Sequence, residues 1–458
     1  MARSCGVTSS AALFLVLALC VAAMHAYIPV NLMMPLDTIT NDGALNDPQG
    51  IRQDLQQLKN GGVDGVMVDV WWGVVERAGP RRYNWTSYLQ LVDIVDQVGL
   101  KIQFVTSFHQ CGTNVGDQCF IPLPPWVLSI GQANPDIYYR DREGGADDEY
   151  LSLGVDYQPV LNGRTALQVY ADYMSSLEQT FRVFLQKGTI NQIQVGMGPA
   201  GELRYPSYQL SKWSYCGVGE FQCYDKYMLA DLDQAAIAAG HPDWGNGGPD
   251  NAGTYDSNPE DTGFFSDNGG DNYSSPYGRF FLNWYSNKLL NHSDSILKSA
   301  RQIFSRYSGL SIAGKVSGIH WWYNTNSHAA ELTAGYYNTN GNNGYLKIAQ
   351  VFSKYGANFD FTALEMVNSP NNCGSAPETL VKQTILAAQI AHVGYDGENA
   401  LELCSGSCSQ SGFQQIIKES TQYGAISGFT YLRLTNNLIY NQNNWNTFLN
   451  FVNAMHRA

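Results

Sequence analysis

The sequence predicts an α/β fold, a closed (β/α)8 barrel of the TIM type with long insertions in its βα loops. Three observations lead there. Strand-like and helix-like stretches alternate eight times along 458 residues, the pattern of a parallel sheet covered by helices. An open doubly wound sheet would show the same alternation, but eight units and the lack of a phosphate-type glycine-rich loop favour closure. A polar residue lies at or just past the end of most apolar strands, which is where a barrel of parallel strands places its chemistry.

Residues 1–26 read as a processing segment. Arg3 supplies a basic start, and Ala11–Ala23 is an uncharged run of thirteen residues, too short to span a bilayer and suited to a signal sequence. The mature chain is then expected to be 27–458, in a secreted or endomembrane-lumen setting, with one barrel domain and no second module. Ile28–Met34 is the first strand. Asp47-Pro48 opens a helix with Ile51, Leu55 and Leu58 on one face and Gly61-Gly62 as its stop. Val63–Val70 is the second strand, Ser87–Val98 a helix ended by Gly99, and Leu100–Phe108 the third strand. Residues 110–163 show little periodicity, and connections this long are usually functional or disordered. Arg164–Lys187 is a helix, and Ile190–Val195 the fourth strand.

Residues 209–276 form a second excursion with one helix, about Glu220–Ala239, followed by a Gly-, Asp- and Asn-rich stretch. A long helix spans about Arg279–Tyr307. The remaining strands are Ser311–Trp322, Phe359–Met366, Gly394–Ala400 and Ile426–Leu434. Helices near Gly344–Tyr355, Pro377–Ala391, Gly412–Tyr423 and Asn444–His456 separate or close them.

Removing Arg3 with the leader leaves 26 basic against 40 acidic side chains, a net charge of −14. An acidic chain without a basic run is a poor candidate for nucleic acid or anionic membrane. A neutral ligand meets no such objection. Seven cysteines remain after the leader: Cys111, Cys119, Cys216, Cys223, Cys373, Cys404 and Cys408. The number is odd, so at least one thiol is free or pairs between chains. No Cys or His cluster has zinc-site spacing, so neither a metal nor a cofactor is expected.

The strand-end residues are Asp69, His109, Glu202, His320, Thr362, Glu398 and Arg433. Two acids, Glu202 and Glu398, lie on strands three positions apart in an eight-membered ring, so they can face each other across its mouth. A pair of carboxylic acids flanking a scissile bond is what glycoside hydrolysis uses. Each residue also has a structural reading. Glu202 is suited to pairing with Arg204 in its tight Gly- and Pro-rich turn, Glu398 to closing a turn after Asp396-Gly397, Asp69 to holding a loop N–H, and His109 to a satisfied place in the core.

Four long blocks tip the balance. Gly198-Pro-Ala-Gly-Glu202-Leu-Arg-Tyr-Pro-Ser-Tyr208 resembles the signature of the β-amylases, inverting exo-hydrolases of α-1,4-glucans. Gly65-Val-Met-Val-Asp69-Val-Trp-Trp-Gly73, Ser107-Phe-His109-Gln-Cys-Gly-Thr-Asn-Val-Gly-Asp117 and Gly397-Glu398-Asn-Ala-Leu401 resemble further blocks of that family, in its order. The resemblance implies one catalytic domain releasing β-maltose from non-reducing ends of starch-type glucans, with Glu202 as general acid and Glu398 as general base. It implies substrate contacts from Asp69, His109, Asp117, Lys315, His320, Thr362, Asn399, Ala400, Leu401 and Arg433, with Leu401 wedged between sugar rings. A monomer without cofactor, metal or starch-binding module is implied, so adsorption to raw granules is not expected.

Within the resemblance, Asp117 belongs to a loop that closes over bound glucan, and Thr113 replaces a glycine common there. Thr362 belongs to an inner loop, Phe361–Met366, with Ala363 where a Cys is frequent. Strict alternation would point Lys315 and His320 to opposite faces unless their strand ends early. Trp321, Trp322 and Tyr323 could stack against sugar rings, but most buried aromatics are simply core, and they are read as core here. A catalytically degenerate glucan-binding relative is the competing reading, and a retaining barrel glycosidase a third. Spacing, an oxidising compartment and likeness to some bacterial members predict a Cys111–Cys119 disulfide, and Cys373 is expected to bridge to Cys404 or Cys408. At least one of the sequons at Asn84, Asn272 and Asn291 is expected to carry glycan if the source is a eukaryote; Asn272, in the most loop-like segment, is the best placed, and Asn291, in a helix, the worst.

Overall fold

The computed structural model describes residues 26–112 and 118–458; all but the last residue of the processing segment, and the predicted contact Asp117, lie outside them. Among these residues, eight parallel strands close into a barrel, and two further strands form a separate hairpin. In chain order the strands are β1 (Val30–Met33), β2 (Gly65–Trp71), β3 (Lys101–Ser107), β4 (Tyr138–Arg140), β5 (Ala146–Leu151), β6 (Ile190–Val195), β7 (Ser311–Val316), β8 (Ala357–Phe361), β9 (Tyr395–Glu398) and β10 (Gly428–Tyr431). The barrel runs β1-β10-β9-β8-β7-β6-β3-β2, and β4 pairs antiparallel with β5.

The helices are α1 (Pro48–Asn60), α2 (Trp72–Val75), α3 (Thr86–Val98), α4 (Pro125–Ala133), α5 (Ala166–Lys187), α6 (Lys226–Ala238), α7 (Pro276–Phe304), α8 (Ala329–Thr333), α9 (Gly344–Tyr355), α10 (Pro377–Ala391), α11 (Gln410–Thr421), α12 (Asn436–Ile439) and α13 (Gln442–Met455). Local chemistry explains their ends. In α1, Pro48 needs no N–H partner, and the Asp47 carboxylate accepts the Gly50 N–H at 3.0 Å. Its Leu55 and Leu58 are fully buried, worth about 2 kcal/mol each in apolar burial. Thr165 and Gln168 make a reciprocal capping box at the start of α5.

The strands end earlier than the sequence predicts. β7 stops at Val316 rather than Trp322, and β8 at Phe361 rather than Met366. The apolar run continues past each strand because the loops above the barrel are themselves buried: Ile319, Trp321, Ala363 and Leu364 are all inaccessible. The connection 110–163, read as lacking periodicity, holds α4 and the β4–β5 hairpin. These elements are too short for periodicity to reveal.

The barrel interior is partly polar. Residues two apart on a strand face the same side, and Gln192 with Gln194, Asp360, and Asp396 with Glu398 meet there. Gln192 and Asn358 donate to the Asp396 carboxylate at 2.9 and 3.0 Å, and Thr430 donates to Gln103 at 3.2 Å. A small apolar plug of Met33, Met67 and Val105 completes the inner packing.

Three disulfides join Cys111 to Cys119, Cys216 to Cys373, and Cys404 to Cys408, and Cys223 is the free, buried thiol among the described residues. The first pair is as predicted. Cys373 does not reach Cys404 or Cys408, because it lies on the loop after β8 beside the excursion that carries Cys216, while Cys404 and Cys408 close a ring of their own. Asn272, the sequon read as best placed for a glycan, is buried. Its side chain is only 7% exposed and donates to the carbonyls of Ser266 and Asp267, whereas Asn84 and Asn291 are exposed.

Candidate active site

A cavity of about 400 Å³ opens at the C-terminal end of the barrel. The stretch after β6 builds its first wall. Gly201 takes a left-handed φ of +74°, and a Cβ on Gly198 would meet the Glu202 carbonyl oxygen at 2.3 Å, so both positions need glycine. The Glu149 carboxylate, from the β4–β5 hairpin, accepts the Ala200 N–H at 2.8 Å. Turned this way, Glu202 pairs through its backbone with Lys315 on β7, the Leu203 N–H bonding the Lys315 carbonyl at 2.8 Å. Its carboxylate faces the cavity and holds Arg204 Nε at 2.7 Å. The pairing with Arg204 expected of this turn is therefore present, and the same carboxylate borders the cavity.

Glu398, at the end of β9, is fully buried, and Lys315 Nζ lies 2.7 Å from its Oε2. Lys315 itself lines the cavity, with Glu398 beneath it. Burial alone would pull the Lys315 ammonium down, but Glu398, Asp360 and Glu202 hold it above its usual range, firmly charged.

Asp69 lies opposite, its Oδ1 accepting the Ser107 hydroxyl at 2.7 Å. Burial raises its carboxyl, against the pull of Ser107, Arg433 and Lys315. Burial drives His109 down to about 3, with Lys315 and Arg204 adding to the effect, and takes His320 down to about 4. Both imidazoles are neutral near pH 7. His109 Nδ1 is buried with no hydrogen-bond partner among the described residues, a polar atom at the cavity wall with bonding capacity to spare.

Because β7 ends at Val316, Lys315 and His320 line the same cavity, contrary to strict alternation. Thr362 accepts the Gly318 N–H at 3.0 Å. Ala400 and Leu401 form the rim, their N–H groups donating to Glu365 Oε1 at 2.9 and 2.6 Å, and Leu401 is 59% exposed. Arg433 lines the wall and donates to the Met34 carbonyl at 3.3 Å.

Asn399 does not join them with its side chain. It is fully buried, and its amide donates to the Leu401 and Leu432 carbonyls and accepts the Leu432 N–H, tying the ends of β9 and β10 together. Trp321, taken as core, lines the cavity with Trp213, Tyr208 and Leu210. The long excursion that carries Leu210 and Trp213 has no strand-end signal. Among the described residues no group of three or more His, Cys, Asp or Glu is placed to hold a metal ion.

Comparison with known proteins fits this arrangement. The model of glycosyl hydrolase family 14 matches residues 31–458. The chain belongs to glycosyl hydrolase family 14. It is 47% identical over 442 residues to a β-amylase of Glycine max, covering 94% of this chain and 87% of that one. It is 47% identical over 443 residues to β-amylase 5 of Arabidopsis thaliana, with the same coverage. The crystal structure of the catalytic domain of a β-amylase from Paenibacillus polymyxa superposes with a TM-score of 0.77 at 34% identity, covering 94% of this chain and all of that one. This family 14 member is a glycoside hydrolase with a (β/α)8 barrel.

Proposed function

We propose that the enzyme is a β-amylase that removes β-maltose from the non-reducing ends of α-1,4-glucans with inversion. One observation carries the reading. Lys315 lines the cavity beside Glu202, with which it pairs through the backbone, and its Nζ reaches the buried Glu398, in a chain 47% identical to enzymes named β-amylase. Glu202, the general acid, gives its proton to the glycosidic oxygen as the bond from that oxygen to the anomeric carbon breaks. Arg204 stabilises the carboxylate that remains. Water attacks the anomeric carbon from the opposite face and loses its proton to Glu398, the general base. The anomeric configuration therefore inverts.

Asp69, His109 and Arg433 offer acceptors and donors for the hydroxyls of the terminal glucose. Trp213 and Trp321 offer apolar faces further out. Asp117, carried over from the family resemblance, would add a further contact. The presence of both glutamates argues against a catalytically degenerate glucan-binding relative. Product analysis on soluble starch tests the reading: maltose alone, released as the β-anomer, is expected. Glucose, mixed oligosaccharides or the α-anomer would refute it. Three disulfides and the 1–26 segment support export into an oxidising compartment, which N-terminal sequencing of the protein from its source would check.

A further inference from the structure

A second concave surface lies on the outer flank of the barrel, between α1 and α13. Its cavity of about 460 Å³ is within the range of small-ligand clefts, about 300–1,000 Å³, and it shares no lining residue with the catalytic cavity. α1 contributes Gln53, Gln56, Gln57 and Asn60, a spacing that puts all four on one face of the helix. α13 contributes Trp445 and Leu449, one turn apart. A Cβ on Gly61 would come within 2.7 Å of both Trp445 Cζ2 and Leu449 Cδ2, so the bare glycine lets these two side chains approach the end of α1.

The polar groups lining this trough are neutral. The basic side chains of α1 point away from it, Arg52 to Gln97 and Lys59 to the Gly99 carbonyl, both on the α3 side. Asp54 is turned to the Tyr440 hydroxyl. α13 holds no charged residue, and Asn441, Gln442 and Asn443 at its start are exposed amides.

Much of the bonding capacity is unused. Gln57 donates to the Ile439 carbonyl at 2.7 Å and Gln56 to Asn60 Oδ1 at 3.0 Å. The two glutamine oxygens, the Asn60 amide N–H groups and the whole Gln53 amide have no partner among the described residues. Trp445 is only 8% exposed, and its indole N–H has no partner among those residues either. One residue beyond the carbonyl that Gln57 holds, Tyr440 is 60% exposed, with its ring fixed through the hydroxyl on Asp54.

We propose that this trough is a second, non-catalytic binding site for a neutral glucan chain. Planar amides and an indole N–H suit the paired donors and acceptors of adjacent sugar hydroxyls, and the Tyr440 ring offers a flat apolar face to the C–H side of a pyranose. A charged ligand would find no counter-charge among the lining groups, and an apolar partner would bury amides without hydrogen bonds, at about 1–3 kcal/mol each. The choice of an α-1,4-glucan rests on the reading above, in which that polymer is the substrate. A chain held on the flank raises the effective concentration of its remaining length near the enzyme, as linked sites do.

Calorimetry with maltohexaose tests the site, in Glu202→Gln protein so that the probe is not consumed. Two sites per chain are expected. Adding Gln53→Ala and Gln56→Ala, both at exposed positions, is expected to leave one, the cavity. Adding Trp445→Phe instead keeps a ring but removes the N–H, and is expected to weaken the flank site by roughly two- to tenfold. A single site before the flank substitutions, or two after the glutamine pair is removed, overturns the proposal. With Glu202 intact, the enzyme carrying Gln53→Ala and Gln56→Ala is expected to keep wild-type kinetics on maltotetraose and to show a higher KM for long amylose. An equal change on both substrates would place the effect in the cavity and overturn the proposal. The reading of the cavity fails separately: wild-type enzyme that releases no β-maltose from soluble starch refutes that reading, while the number of maltohexaose sites still reports on the flank.

Discussion

At the scale of single residues, the two glutamates are expected to be separable by their chemistry. Glu202→Gln keeps the shape and the contact surface but has no proton to give, so kcat should fall by about 100-fold or more while maltodextrin binding, measured by calorimetry, persists. Glu398→Gln should also lose most turnover, because nothing then accepts the proton of the attacking water. Turnover within about tenfold of wild type in either variant would remove that residue from its role. Both residues were legible in the sequence because each lies at or beyond the end of a strand within a long recognisable block. Glu365 was not, because its carboxylate acts across the mouth on the N–H groups of Ala400 and Leu401, a pairing that no single segment contains. Asn399 shows a second use of a matching block. It lies in a matching block, yet its side chain joins two strand ends.

At the scale of elements, periodicity located the barrel strands and their covering helices because the long helices carry an apolar face and strands such as β2 are nearly continuous in apolar residues. What periodicity missed were elements of three to nine residues in the β3–α5 connection and the points at which strands give way to buried loops. Those short elements matter to the site: the β4–β5 hairpin supplies Glu149 to hold the turn beneath Glu202. The rim after β9 depends in the same way on Glu365, whose Oε1 is the acceptor for two successive N–H groups. Glu365→Gln retains an acceptor oxygen and should change little. Glu365→Ala leaves both N–H groups without that acceptor, a loss of about 1–3 kcal/mol for each one that stays buried, and frees the segment carrying Leu401. We expect KM for maltodextrins to rise several-fold in the alanine variant, with a smaller change in kcat. An equal fall in kcat and kcat/KM with KM unchanged would show that the rim acts on the transition state alone and would refute this positioning role.

At the scale of the whole molecule, the cavity lies between the barrel and two excursions that must be kept in place. The Cys216–Cys373 disulfide does this across the mouth, joining the excursion after β6 to the loop after β8 over a sequence separation of 157. Trp322 reinforces the join: its backbone N–H donates to the Cys373 carbonyl at 2.7 Å and its indole N–H to the Cys216 carbonyl at 2.5 Å. The neighbouring Trp213, Tyr215, Trp321 and His320 rings pack together as one wall. The number of cysteines indicated an unpaired thiol, and the spacing of Cys111 and Cys119 indicated one small ring. The long-range pair was not legible, since its two halves meet only once the barrel has closed. A cross-link over so long a loop restricts the unfolded chain most, so removing it by Cys216→Ser with Cys373→Ser should cost about 2–5 kcal/mol of stability. Cys404–Cys408 spans only four positions and should contribute less. Reductant opens all three bridges, so the double variant is the sharper experiment. Its melting temperature should fall by several degrees, and KM for longer maltodextrins should rise because the aromatic wall is no longer strapped. Cys223, buried and with its thiol raised well above the ordinary range by burial and by Asp225, should resist alkylation in the native protein of both forms, so any gain in labelling reports unfolding. A double variant that melts with wild type and binds long substrates equally well would show that barrel packing and the Trp322 hydrogen bonds hold the mouth without the bridge.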